Sequence, residues 1–306
     1  MILTNNHNLP NYYLEAVKAN VYDVDETDKS LISVTTLIGP PKIRTLKTKH
    51  YDELTEDIAD RVWSIFGSAI HGVFELIPDT NSFVEERFTQ ECSELGHSIV
   101  RITGKPDRYD GTKEEIIDYK TTSAWTLTYN PEGKIEWERQ LNIYRYLLIK
   151  AGYEVKALKV FYLLRDWTAS KVTDGGNYPT ASIGELSLRV WSDEEAEAYI
   201  KSRLDAHFNA AMMDCTDEDR WYSGTKYAVY EMKKDGKPKA RASRVLDTEE
   251  AADEWANRAF INGSVTLIEK RPGEYKRCEK YCPVYRFCKQ GGGMITEEEE
   301  DDNGNK

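Results

Sequence analysis

Two charged side chains interrupt a run that otherwise reads as a buried strand. Residues 114–122, EEIIDYKTT, have the β-branched and aromatic content of a strand, yet carry Asp118 and Lys120 in their midst. Side chains alternate faces along a strand, so these two project to the same side. Charges in an apolar run need a reason. Upstream stands Pro106-Asp107, separated from Asp118 by ten residues, and Asp110-Gly111 between them reads as a turn joining neighbouring strands. That return brings Asp107 close to the pair. Two carboxylates at one end of a paired sheet make an oxygen-rich site for Mg²⁺ or Mn²⁺. A lysine beside them can orient an attacking water and offset charge developing on a phosphate.

A surface strand can also carry an Asp–Lys pair, so the site reading leans on three further elements. In GSAIHGVFE, His71 and Glu75 stand at i and i+4 on one helix face, and imidazole suits Mn²⁺ or Mg²⁺. Gly104, just before Lys105-Pro106-Asp107, permits close approach of backbone to a ligand. In RQLNIYRYLL, Gln140 and Tyr144 form a polar pair one turn apart on an otherwise apolar helix.

The rest of the chain supplies an α/β frame. SLISVTTLI reads as a strand, and apolar residues from about 54 to 77 recur at helical spacing up to Pro78. SFVEERFT, HSIVRITGKPD and EEIIDYKTT read as three strands, followed by a helix over 134–151 that stops at Gly152. VKALKVFYLL and ELSLRVW read as further strands, and Ser192 with Glu195 forms a capping box. The expected fold is a central mixed β-sheet flanked by helices, occupying residues 1–219. Residues 220–264 read as a small inserted ββα unit, with a hairpin at Asp235-Gly236 and a helix capped by Asp247 and Glu250. Residues 265–290 would complete the core, and 291–306 form an acidic tail expected to be disordered.

The formal net charge of −12 speaks against a protein that coats nucleic acid nonspecifically. Glu297 to Asp302 supply six of those charges, and without the tail about −7 remains. A DNA substrate stays compatible, because metal ligands are carboxylates and a basic groove can be local. One basic cluster does occur, at Lys233, Lys234, Lys237, Lys239, Arg241 and Arg244, which suits a solvated hairpin face or a DNA contact. No apolar run reaches the ~20 residues of a membrane span, and MILTNNHNLPNYY lacks a signal-peptide pattern. A cytoplasmic, reducing location is expected, the host cytoplasm if the chain is phage-encoded. Structural disulfides are not expected there.

The order of motifs resembles the PD-(D/E)XK nuclease superfamily, in particular its RecB-like branch with phage and CRISPR-associated exonucleases. The matching elements are GxxxHxxxE at Gly67, His71 and Glu75, GxxD at Gly104 and Asp107, DxK at Asp118 and Lys120, and QxxxY at Gln140 and Tyr144. The resemblance implies a restriction-endonuclease-like core in which His71, Asp107, Asp118 and the Tyr119 carbonyl hold the metal. It implies that Lys120 assists the water, that Gln140 and Tyr144 position substrate or the lysine, and that Glu75 supports the ligands or touches substrate.

Three of the five cysteines fall in CEKYCPVYRFC, as Cys278, Cys282 and Cys288. Three thiolates need a fourth to complete a zinc site or a cubane cluster, and Cys215 is the best placed, with Cys92 to spare. The pattern resembles the C-terminal part of the iron–sulfur staple of AddB-type and CRISPR-associated members of that branch. There the remaining cysteine precedes the nuclease motifs, whereas none here precedes His71, which leaves a 4Fe-4S cluster and Zn²⁺ both open.

The expected activity is metal-dependent hydrolysis of DNA phosphodiesters, by an exonuclease acting on ends or single strands in replication, recombination or repair. Trp125, Tyr129 and Trp137 follow the DxK strand closely and are expected to line the approach to the metal. No GxxxxGK[ST] is present, so any helicase, single-strand-binding or annealing partner would be a separate protein. The alternatives are a structure-specific or single-strand endonuclease, a catalytically silent DNA-binding protein on the same fold, and an iron–sulfur electron carrier.

Overall fold

The computed structural model describes residues 1–20, 28, 30–77, 81–173, 175–208 and 213–292. The expected stop at Pro78 lies outside them, as does the acidic tail from residue 293 onward. The chain divides into two compact units, Met1–Met213 and Asp214–Lys306.

The first unit is built on a five-stranded mixed sheet. In spatial order its strands are Ile183–Leu188, Ala157–Leu164, Glu115–Thr122, Arg108–Asp110 and Ser82–Val84. Only Glu115–Thr122 and Ala157–Leu164 run parallel, and the remaining neighbours are antiparallel. A three-stranded sheet of Leu31–Ser33, His97–Gly104 and Phe88–Cys92 stands alongside in the same unit. Helix Ile135–Lys150 presents Leu141, Tyr144, Leu147 and Leu148 to a core that includes Ile102, Ile116, Leu158 and Val160. Helix Val62–Glu75 covers the opposite face of the main sheet, where Phe74 packs on Tyr119 and Phe161. Buried Asn142 fixes the first helix further. Its amide donates to the Glu138 and Arg189 carbonyls and accepts from the Trp191 amide, so no polar atom of that side chain is stranded.

Several elements depart from the reading of the sequence, each for a local reason. Only Leu31–Ser33 of SLISVTTLI is a strand, because the Ser33 hydroxyl accepts the Thr36 amide at 3.1 Å and opens helix Val34–Ile38. The helix expected from residue 54 begins at Val62, after strand Thr55–Asp57 and a turn capped by Asp57. SFVEERFT is two strands split at Glu85, whose φ is +54°, and HSIVRITGKPD is a strand only over His97–Gly104, with Lys105-Pro106-Asp107 separating it from strand Arg108–Asp110. At each break the chain passes from one sheet to the other. Pro106 cannot donate to a ladder, which suits a strand end there. A short helix, Ala124–Tyr129, was hidden in the polar stretch after the DxK strand and is capped by Ser123. The capping box of Ser192 and Glu195 forms reciprocally, at 2.9 and 3.2 Å.

The second unit carries an antiparallel sheet with Lys226–Glu231 between Arg244–Leu246 and Thr266–Arg271, and helix Glu249–Ile261 joins its last two strands. Gly236 takes φ +76° in the expected turn, and the surrounding lysines are exposed. Thr248 rather than Asp247 caps the helix, since the Asp247 carboxylate is engaged by Lys226. Residues 265–290 group with this unit. No helix among the described residues is long and apolar enough to cross a membrane.

Gly104 stands where the packing leaves no room for a side chain. A Cβ there would stand 2.8 Å from Tyr144 Cε1 and Val34 Cγ2 and 2.9 Å from Leu147 Cδ1. Gly104→Ala is therefore expected to destabilise the protein by about 1–3 kcal/mol through overpacking. Urea unfolding measures this, and an unchanged midpoint would mean that the helix side chains can withdraw freely.

Candidate active site

The site forms where the chain crosses between the two sheets. Asp107 follows Pro106 at one crossing, and its Oδ2 accepts the Tyr119 amide at 2.7 Å. Glu85 stands at the other crossing, and its amide donates to the Asp107 carbonyl at 3.2 Å. Asp118 is 1% exposed. Its Oδ1 receives no hydrogen bond among the described residues, and Oδ2 meets the Lys120 ammonium as an ion pair at 2.6 Å. Lys120 also donates to Gln140 Oε1 at 3.2 Å, and the Gln140 amide donates to the Tyr144 hydroxyl at 3.0 Å. The helical pair foreseen in the sequence thus holds the lysine.

His71 closes the site from helix Val62–Glu75. Its Nε2 lies 3.1 Å from the Tyr119 carbonyl oxygen. Its Nδ1 lies 3.4 Å from Glu85 Oε1 and 3.6 Å from Asp107 Oδ1. Ligand atoms of His71, Glu85 and Asp107 all fall within 4.8 Å of one another, a spacing suited to one metal ion. Lys105 pairs with the second oxygen of Glu85. A buried carboxylate oxygen without a donor, next to imidazole, carboxylates and a carbonyl, is a donor set that fits a hard divalent cation.

The electrostatics follow from burial and crowding. Burial pushes the Asp107 carboxyl up, the nearby Asp118 charge adds to this, and the group reaches about 7 despite His71, Lys120 and the Tyr119 amide. Burial works against a charged His71, yet its contacts with Glu85, Asp107, the Tyr119 carbonyl and Asp118 outweigh that and raise its pKa. Burial likewise opposes a charged Lys120, and the two aspartates more than compensate. For Glu85 burial pushes upward, but His71 and Lys105 prevail and hold it below the usual carboxylate range.

Not every expected residue joins this group. Glu75 is exposed at the end of its helix and takes part in none of these contacts. Trp125 is exposed on helix Ala124–Tyr129, stacked with Tyr129 at 6.0 Å between centroids and lying beneath the Lys171 ammonium at 5.2 Å. Trp137, by contrast, is buried in the core and lines no approach. Glu85 and Lys105 were missed. The only signal in the sequence was a pair of glutamates in an otherwise strand-like run.

Cys278, Cys282 and Cys288 all lie in the C-terminal segment of the second unit, and among the described residues the group with metal-binding spacing contains no cysteine. Burial raises the Cys282 thiol, and the neighbouring Cys278 and Cys288 raise it further against the pull of the Val284 amide. The Gln290 side chain clasps the Cys215 backbone from both sides, at 2.8 Å each way. Arg220 Nε reaches Cys278 Sγ at 3.4 Å. Cys92 is buried in the first unit, where burial pushes its thiol up to about 11.

Residues 44–289 match the family model of the PD-(D/E)XK nuclease superfamily. Among solved structures, SSO0001 aligns at 18% identity over 68% of this chain and 87% of its own, with a TM-score of 0.49. A phage-related exonuclease from Haemophilus somnus 129PT aligns at 14% identity over 66% of this chain and 83% of its own, with a TM-score of 0.28. No curated protein matches the sequence.

Asp107 gives the metal-free protein a defined pH dependence. Its carboxyl has an ordinary value of 3.8 and reaches about 7 in the folded chain. Between those values the folded chain keeps a proton that the unfolded chain has released, so this contribution to stability is lost as pH rises through about 7. Without divalent metal, Asp107→Asn should gain melting temperature relative to the unaltered protein from pH 3.8 to about 7, then hold a constant lead. A difference that does not move with pH would mean that Asp107 ionises like an exposed aspartate.

Proposed function

The chain belongs to the PD-(D/E)XK nuclease superfamily, and from that footing we propose that it is a Mg²⁺- or Mn²⁺-dependent deoxyribonuclease working as an exonuclease on DNA ends or single strands. The observation that carries this reading is buried Asp118, with a donor-free oxygen, set beside Asp107 and ion-paired to Lys120. His71, Asp107, Asp118 and the Tyr119 carbonyl would hold the cation, with Glu85 as a further ligand. A divalent ion held there supplies Lewis acidity toward a phosphate oxygen.

The side chains account for the rest of the chemistry. Lys120 is cationic and tethered on two sides, so it can orient an attacking water and stabilise charge gathering on the phosphate. Gln140, itself bonded to Tyr144, keeps that ammonium from swinging away. The water adds to phosphorus and gives up a proton to solvent, the phosphorus–oxygen bond to the leaving nucleotide breaks, and the released oxygen takes up a proton from solvent in turn. Trp125 and Tyr129 offer ring faces to bases beside the DxK strand. A role in replication, recombination or repair fits this activity, with any helicase or annealing protein supplied separately. Cys215, Cys278, Cys282 and Cys288 would hold a 4Fe-4S cluster, or Zn²⁺ in its place, that pins the C-terminal segment.

Asp118→Ala and Lys120→Ala should each lower Mn²⁺-dependent cleavage by at least about 10²–10³-fold while the protein stays folded. Full activity in Lys120→Ala would remove that lysine from the mechanism. On end-labelled DNA, a linear single strand should be degraded and a closed single-stranded circle spared. Equal rates on both would make the enzyme an endonuclease.

The cluster has its own readout. Protein purified without oxygen should be brown and contain iron, and Cys278→Ser, Cys282→Ser or Cys288→Ser should bleach it, whereas Cys92→Ser should not. Zinc without iron in metal analysis would keep the four-thiolate site and reject iron–sulfur.

A further inference from the structure

Helix Val62–Glu75 runs opposite to strand Glu115–Thr122, and one stripe of it faces that strand. His71 meets the Tyr119 carbonyl, Gly67 stands across from Thr121, where a Cβ added to the glycine would lie 3.8 Å from Oγ1, and Trp63 comes one turn earlier. Residues four apart share a face, so Trp63, Gly67 and His71 line up. Trp63 is 57% exposed. The Arg165 guanidinium lies over its ring at 4.2 Å, and Phe66 meets the ring edge-on. Arg165 is anchored by its amide, which donates to the Thr122 carbonyl at 2.9 Å, and it enters no ion pair among the described residues.

We infer that Trp63 and Arg165 form a base-stacking station for an unpaired DNA strand, joined to the residues proposed to hold the metal along the helix face that carries Gly67. This rests on the nuclease reading above and adds residues to it. A half-exposed tryptophan roofed by an unpaired arginine has the two features that a single strand needs, a π-face for a base and a cation for the adjoining phosphate. A duplex hides its base faces, so the station selects an unpaired strand. Trp63 precedes His71 by eight residues, on the order of 12 Å along a helix axis. A base held there therefore sits within a few nucleotides of the scissile bond. The arrangement mirrors Trp125 beneath Lys171, which also follows the end of the DxK strand. In a chain of net charge −12, such pairs localise the strand where general attraction is lacking.

Fluorescence anisotropy in EDTA tests the contact without cleavage, using a labelled single strand and the same strand with abasic positions. Trp63→Ala should weaken the normal strand by about 5- to 100-fold, the range of base–aromatic stacking, and leave the abasic strand nearly unaffected. Trp63→Phe should restore most of the loss. Arg165→Ala should weaken both strands and flatten the log–log salt slope by about 0.7. Unchanged binding in Trp63→Ala, or equal loss on both strands, overturns the station. Mn²⁺-dependent cleavage of the same strands keeps the two readings apart. Normal cleavage with unchanged affinity in Trp63→Ala removes the station alone. An unaltered protein that binds in a Trp63-dependent way and never cleaves removes the nuclease alone.

Discussion

One hydrogen bond organises the site: the Tyr119 amide donating to Asp107 Oδ2. The strand Arg108–Asp110 accompanies Glu115–Thr122 only as far as Ile117, because the chain turns away through Pro106. Tyr119 is buried, and an unsatisfied amide there would cost about 1–3 kcal/mol. A carboxylate takes the place of the missing ladder partner, and on the same vacated side the Tyr119 carbonyl faces His71. The backbone's need for partners thus fixes two of the groups proposed to hold the metal.

Local charge balance explains how so many acids tolerate burial together. Glu85, Asp107 and Asp118 are faced by Lys105, Lys120 and the His71 imidazole. Each cation also holds its carboxylate in a set orientation. The site is therefore ordered in advance, and the overall acidity of the chain says nothing about the field inside it. Lys120 is the most constrained member, since Asp118 and Gln140 approach it from different elements.

Regular periodicity was readable in the sequence, and interruptions of it were not. Alternation along EIIDYKTT put Asp118 and Lys120 on one face, helical spacing joined Gln140 to Tyr144, and the turn at Asp110-Gly111 returned Asp107 to them. Each of these is set by residues close in sequence. Glu85 depends instead on a strand break at positive φ, which leaves little trace in a glutamate-rich run. Helical spacing and the resemblance both set Glu75 beside His71, while its exposed carboxylate stands outside the contacts described above, because a match at i+4 says only that two residues share a helix face. SLISVTTLI has the β-branched residues of a strand, and one serine hydroxyl was enough to turn it into a helix. The pairing of Trp63 with Arg165 spans two elements far apart in the chain and no local rule anticipates it.

The unequal partnership of the DxK strand bears on how the protein is made. Glu115–Thr122 pairs with Ala157–Leu164 along all eight residues, but with Arg108–Asp110 along only three. A growing chain thus completes every member of the site, from His71 to Tyr144, before the strand's main neighbour leaves the ribosome. Until then the nascent chain carries an apolar, open-edged strand of the kind that recruits chaperones or joins other chains. Fragments ending before Ala157 would contain every residue of the candidate site from His71 to Tyr144 and still lack the support that shapes it.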